Sequence, residues 1–241
     1  MDIYTTQTAG ELLKGNSYAG RGIIIGKSAD GKRAMTVYFI MGRSQNSRNR
    51  IFAEKDNGEV IIYPHDYSKV EDPSLIIYSP IRVYENKLIV TNGDQTDTIY
   101  DALTEGKTFE DALDSREFEP DRPNWTPRIS GMLTFDKGDF KYKMSILKSA
   151  DAEGSACNRF TYSYSPIAGV GHFIHTYVCD GSPLPTFQGE PERLSIPDYI
   201  EEFAKEVWEN LNEENKISLY ARSVDLASGE VWNVMINKHE A

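Results

Sequence analysis

Most apolar residues of this chain fall in short runs closed off by Gly, Asn, Asp or Pro, which predicts strands and tight turns more than helices. A hairpin is expected over 20–27 and 33–40, turning at Asp30-Gly31. A second is expected over 51–53 and 60–63, turning at Asp56-Asn57-Gly58. Further strands are expected over 75–78, 81–84, 88–90, 129–135, 140–147, 160–164 and 170–178, with a last hairpin over 217–224 and 231–236. Helical spacing is confined to a few places. Ile200, Phe203, Ala204, Val207, Trp208 and Leu211 recur at three-and-four intervals with glutamates opposite, an amphipathic helix over 200–211. Shorter helices are expected over 96–105, stopped by Gly106, and from Thr108 onward. Another is expected near the N-terminus, where Thr8 and Glu11 fit a capping box. Pro120, Pro123 and Pro127 exclude regular structure between them, and Trp125 suits a fixed loop better than a flexible linker. Many antiparallel strands with few, clustered helices point to a layered α+β architecture rather than alternating βαβ units.

At 241 residues the chain can bury a substantial core. It divides into an N-terminal extension, 1–17, and a single domain, 18–241. Charge sharpens the picture. Between Arg21 and Arg50 seven basic residues stand against Asp30 alone, a local charge of +6 in a chain of −11, which leaves −17 for the rest. A basic pocket on an acidic body suits one small anionic ligand and argues against nucleic-acid binding, which needs an extended basic face. No apolar run reaches the length of a membrane span, and the start lacks the basic and apolar segments of a signal peptide. No membrane partner is therefore expected, and a cytoplasmic location is. Cys157 and Cys179 do not make a disulfide framework and read as reduced thiols. A homo-oligomer is compatible with the sequence, which does not set the oligomeric state.

The basic segment culminates in 42–50, where three guanidiniums, two hydroxyls and three side-chain amides follow a strand-like run. Forked guanidinium donors suit phosphate, and hydroxyls and amides extend the grip; the plain alternative is a solvated loop. The stretch 92–98 is either a turn with a helix cap or a helix start whose amides meet an anionic group. His172 and His175 are three apart on an expected strand, hence on opposite faces, so a shared metal is not expected, although one of them could face a pocket. Cys157 has no neighbouring base that the sequence displays and reads as a buried, inert thiol.

Taken in order, several stretches resemble the archaeal-type IMP cyclohydrolases. They are Tyr18-Ala19-Gly20-Arg21, then Gly42-Arg43-Ser44 with Arg48-Asn49-Arg50, then Ile76-Ile77-Tyr78-Ser79-Pro80-Ile81-Arg82. Thr91-Asn92-Gly93-Asp94-Gln95-Thr96-Asp97-Thr98-Ile99 and Asn124-Trp125-Thr126-Pro127-Arg128-Ile129 follow. The likeness runs from about Tyr18 to the C-terminus and is densest up to Ile129. It implies closure of 5-formamidoimidazole-4-carboxamide ribonucleotide to IMP with loss of water. It also implies a four-layer αββα sandwich, like that of the N-terminal nucleophile hydrolases but without their nucleophile. A small-molecule purine ribonucleotide is the implied partner, and neither a metal nor another cofactor is called for. Tyr78 and Glu119 are expected to be catalytic, with Asp121 the alternative acid–base group if the match slips. Either Arg48 or Arg50 matches the second functional arginine, and the ungapped count favours Arg48, which is then expected to be catalytic. Arg21, Arg43, Ser44, Asn46, Arg50, Asn92, Asp97 and Arg128 are expected to bind substrate, Arg128 either on phosphate or as a partner of Glu119. The segment 1–17 has no counterpart in the family, and the loop 166–191 looks like a variant form. Two rival readings are a nucleotide-binding module without turnover, and an amidase self-processed before Ser155 or Cys157.

Overall fold

The computed structural model describes residues 4–70 and 77–240. In chain order the first elements are α1 (Ala9–Leu13), β1 (Arg21–Lys27), β2 (Arg33–Met41), α2 (Gln45–Arg48), β3 (Ile51–Glu54) and β4 (Val60–Tyr63). The middle of the chain supplies β5 (Ile81–Tyr84), β6 (Lys87–Thr91), α3 (Gln95–Thr104), α4 (Phe109–Asp114), β7 (Arg128–Asp136) and β8 (Asp139–Ser149). Then come β9 (Cys157–Tyr164), β10 (Val170–His175), β11 (Glu192–Ser195), α5 (Ile200–Asn210), β12 (Lys216–Asp225) and β13 (Val231–Asn237). The strands form two antiparallel sheets, one in the order β11-β10-β1-β2-β12-β13 and the other running β3 to β9 in sequence.

Strand parity sorts the side chains into layers. Ile23, Ile25, Tyr38, Ile40, Ile174 and Tyr220 of the first sheet meet Phe52, Ile62, Val90, Ile129, Leu133, Met144 and Ile146 of the second between the sheets. The opposite face of the first sheet, including Ile24, Phe39, Phe173 and Leu219, is covered by α1 and α5 through Leu13, Phe203 and Val207. The outer face of the second, with Ile89, Met132 and Leu147, is covered by α3 and α4 through Ile99, Leu103, Phe109 and Leu113. The result is helix, sheet, sheet, helix: an α+β four-layer sandwich. Gly22 belongs to this packing, because a Cβ there would lie 2.3 Å from the Phe39 ring. Its absence lets Phe39 and Phe173 approach across β1, with ring centroids 5.9 Å apart.

Local signals explain most elements. Thr8 caps α1 and Glu11 answers its backbone N–H, while α5 begins with Glu201 and Glu202 where the helix dipole favours acid. Strands and turns fall within a residue or two of expectation over most of the chain. Residues 75 and 76 of the strand expected over 75–78 lie outside the described residues. Ile77 and Tyr78 are not in a strand, although the Ile62 N–H donates to the Tyr78 carbonyl at 2.9 Å. The end of the run expected over 170–178 also differs: β10 stops at His175, and Tyr177 is bridged to Thr186 instead. β11 is an addition, an edge strand paired along its length with β10 and bridged at Leu194 to Gln7. Among the described residues no helix is long and apolar enough to cross a membrane.

Candidate active site

At one end of the sandwich a cavity of ≈ 180 Å³ opens between the sheets, lined by residues from six separate stretches. β1 contributes Arg21 from its first position. Arg21 shares the parity of Ile23 and Ile25, so its side chain emerges on the inter-sheet side where the apolar layer ends. Gly20, in the left-handed region at φ +79°, brings the chain past Thr176, where a Cβ would lie 2.1 Å from the hydroxyl oxygen. The Arg21 backbone N–H then donates to that hydroxyl at 3.1 Å.

The basic loop supplies the second wall, and it contains an unforeseen turn of helix. Ser44 caps α2 through the Ser47 N–H, and the Ser47 hydroxyl answers the Ser44 backbone. That turn decides which arginine reaches the cavity. Arg48 is swung away: its Nε donates to the Gly42 carbonyl and its Nη2 to Asn215 Oδ1, both at 3.0 Å. Arg50 is the one that lines the cavity, buried, with Nε on the Ser47 carbonyl at 2.8 Å. Among the described residues its terminal nitrogens make no hydrogen bond. Asn46, Ser44 and Ser47 line the same wall. Arg43, expected on substrate, sits outside the lining, ion-paired with Asp180, bonded to the Gly181 carbonyl and placed over the Tyr18 ring.

Tyr78, Glu119, Pro120, Asn92, Gly93, Asp94 and Arg128 complete the enclosure. Glu119 Oε1 accepts from Arg21 Nη2 at 3.1 Å, and both side chains are largely buried. Burial is the largest single influence and disfavours the Arg21 charge, but the Glu119 carboxylate together with the Tyr177, Tyr78 and Tyr18 hydroxyls outweighs it and the pKa is raised. Two atoms in this cavity are buried without a partner: Arg21 Nε, a donor, and Asn46 Oδ1, an acceptor. Orphaned polar atoms of opposite kind on two walls of one cavity are what a polar ligand would satisfy. Tyr78 Oη lies 3.1 Å from Tyr38 Oη. Burial raises the Tyr78 pKa, against the pull of Arg50 and Arg21, so the phenol is neutral and can donate.

Asp121, the alternative to Glu119, is occupied elsewhere. It accepts from the Thr126 N–H at 2.6 Å and from the Thr126 hydroxyl, which also meets Tyr177 Oη. With Trp125 Nε1 on the Ala152 carbonyl at 2.9 Å, this fixes the proline-rich loop and presents Glu119. Arg128 is not the partner of Glu119: its Nη1 bonds Asp94 Oδ1 at 2.7 Å and Gln95 Oε1 at 2.8 Å. Asn92 borders the cavity, but its amide is used structurally, donating to the Pro127 carbonyl and accepting from the Ile129 N–H and Gln95. Asp97 lies outside the lining on Arg82, 2.9 Å away. The α3 start is thus faced by the protein's own Asp94, held by Arg116 and Arg128.

The two histidines part as strand parity requires. His172 joins Tyr142 and Tyr164, and His175 lies against Phe173 and beside Glu192. Among the described residues no group of three potential ligands is placed to hold a metal. Burial pushes the Cys157 thiol up, the opposite of an activated nucleophile, and neither it nor Ser155 lines the cavity. Sequence reading missed Tyr38, whose hydroxyl reaches the site although its ring lies in the core; its inward parity in β2 was the available signal.

The chain is similar in sequence to several known proteins. The chain is 30% identical over 168 residues to an IMP cyclohydrolase of Methanococcus maripaludis (strain C7), covering 63% of this chain and 82% of that one. It is 28% identical over 167 residues to one of Methanococcus aeolicus, covering 67% and 75%. For the IMP cyclohydrolase of Methanopyrus kandleri the figures are 35% over 117 residues, 47% of this chain and 57% of the relative. Residues 18–229 match the family described as IMP cyclohydrolase-like protein, and the chain belongs to that family.

Proposed function

We propose that this protein closes 5-formamidoimidazole-4-carboxamide ribonucleotide to IMP with release of water. The observation that carries the chemistry is the meeting of a carboxylate on a buried guanidinium, Glu119 with Arg21, and a neutral buried phenol, Tyr78, in one small polar cavity. Both reacting groups already belong to one molecule, so the enzyme gains most by holding a single rotamer of each. The carboxamide nitrogen attacks the formyl carbon, the N–C bond forms, and the carbonyl electron pair moves to oxygen. Glu119 accepts a proton from the attacking nitrogen, and Tyr78 donates one to the oxygen. Departure of that oxygen as water breaks the C–O bond as the formamide nitrogen gives up its proton and the ring C=N forms. Two protons leave nitrogens and two arrive on the departing oxygen, so none is gained or lost. Arg21 Nε and Asn46 Oδ1, unpartnered in the cavity, supply a donor and an acceptor for the reacting groups, while Arg50 and Arg128 supply charge for the phosphate.

In this reading the unit spanning 18–241 performs the chemistry. The segment 1–17 is an extension docked by α1 on α5, where Gly10 N–H meets Glu206 Oε1 at 2.9 Å. The test is direct: protein incubated with the formamido ribonucleotide should produce IMP, followed by ultraviolet absorbance. Tight IMP binding with no turnover would support the regulatory alternative instead.

A further inference from the structure

We infer that Tyr38 is a positioning residue for this reaction, holding the Tyr78 hydroxyl and turning its proton toward the cavity. The inference rests on the cyclohydrolase reading and extends it into the core. Tyr38 lies on β2 between Ile23 of β1 and Tyr220 of β12, facing inward. Its side chain is wholly buried, its ring stacks on Phe52 with centroids 5.6 Å apart, and its hydroxyl has one partner among the described residues, Tyr78 Oη at 3.1 Å. Tyr78, by contrast, comes from a stretch outside any strand and reaches the cavity wall. The rigid residue therefore fixes the less regular one.

The direction of the bond follows from burial. If Tyr78 donated to Tyr38, the Tyr38 proton would be left in the apolar layer with nothing to accept it. Donation from Tyr38 satisfies the buried hydroxyl and leaves the Tyr78 proton free to point at a ligand oxygen. Burial is the largest influence on both phenols and raises both, so both hydroxyls carry their protons. When Tyr78 gives its proton to the departing oxygen, the phenolate left behind keeps the Tyr38 hydrogen bond and faces Arg21 and Arg50.

The test uses Tyr38→Phe, Tyr78→Phe and the double variant, with single-turnover cyclisation and IMP affinity for each. Tyr38→Phe should lower kcat about tenfold or more, with KM and IMP affinity within about twofold. The double variant should be no slower than Tyr78→Phe alone, because a positioning residue has nothing left to position. Multiplying losses would show that Tyr38 acts apart from Tyr78 and overturn the inference, as would a Tyr38→Phe rate equal to wild type. A proton NMR measurement covers failure of Tyr38→Phe to fold. Wild-type protein should show a slowly exchanging Tyr38 hydroxyl proton that shifts or vanishes in Tyr78→Phe, and an unmoved resonance would refute the contact. Wild-type protein unable to form IMP would sink the underlying reading, an outcome distinct from these.

Discussion

Glu119→Gln separates chemistry from folding at the centre of the site. The amide keeps the shape of the carboxylate and can still accept from Arg21 Nη2, but it removes the charge 3.1 Å from that guanidinium and cannot take a proton. Loss of a general base costs about 10²–10⁴-fold in rate, or roughly 3–5 kcal/mol in the barrier. The stability cost is smaller. The bond from the Arg21 guanidinium stays charge-assisted and only the carboxylate's share of the ion pair is lost, so the exchange costs on the order of 1 kcal/mol. For a chain of this length that lowers Tm by about 2–4 °C. The variant should therefore be folded and nearly inert. Single-turnover cyclisation and a melting curve on the same preparation test both halves. A rate within tenfold of wild type would remove Glu119 as base. A Tm fall beyond about 10 °C would make it a structural residue first. Asp121→Asn is the counterpart, since its carboxylate holds Thr126 rather than the cavity: it should cost more stability than Glu119→Gln and less rate.

Arg50→Ala should weaken IMP binding about tenfold to a hundredfold, the worth of one charge-assisted bond, and narrow the preference for nucleotide over nucleoside. Arg48→Ala should leave that preference intact in the same calorimetric titration, because its guanidinium is spent on Gly42 and Asn215. His172 should make stability depend on mild acid, since burial, with help from Arg193, lowers its pKa from 6.5 to about 4. The unfolded chain then takes up the proton first, so this contribution is complete above pH 6.5 and is lost as pH falls toward 4. Urea unfolding at pH 7.5 and pH 5 should show His172→Gln losing less stability between the two than wild type, by at most about 2 kcal/mol.

Local structure was legible wherever a signal was complete within a few residues. The Thr8–Glu11 capping box, the Asp30-Gly31 turn and the apolar stripe of α5 all became the elements they predict. The cavity was legible as residue types and not as partnerships. Glu119 meets Arg21 at a sequence separation of 98 and Tyr78 meets Tyr38 at one of 40, and no periodicity encodes such encounters. The different placements of Arg48 and Arg50 turn on α2. One turn of helix, closed by a box of two serines, rotates the intervening residues so that alternate arginines leave in different directions. An ungapped count of positions carries no backbone conformation and cannot register the rotation. Arg128 carried a similar ambiguity. Its parity opposite Ile129 points it at the α3 start, where Asp94 and Gln95 lie, and away from Glu119.

The most direct test of the central claim follows a single oxygen atom. Substrate carrying ¹⁸O in its formyl group should give IMP without the label, and all of the label should appear in water, because closure expels that oxygen while the carboxamide oxygen stays on the ring. Mass spectrometry of the product and of the released water reads this out within one turnover. Labelled formate, together with the amino-carboxamide ribonucleotide in place of IMP, would instead mean that water attacked the formyl carbon. The protein would then be an amidase, contradicting ring closure.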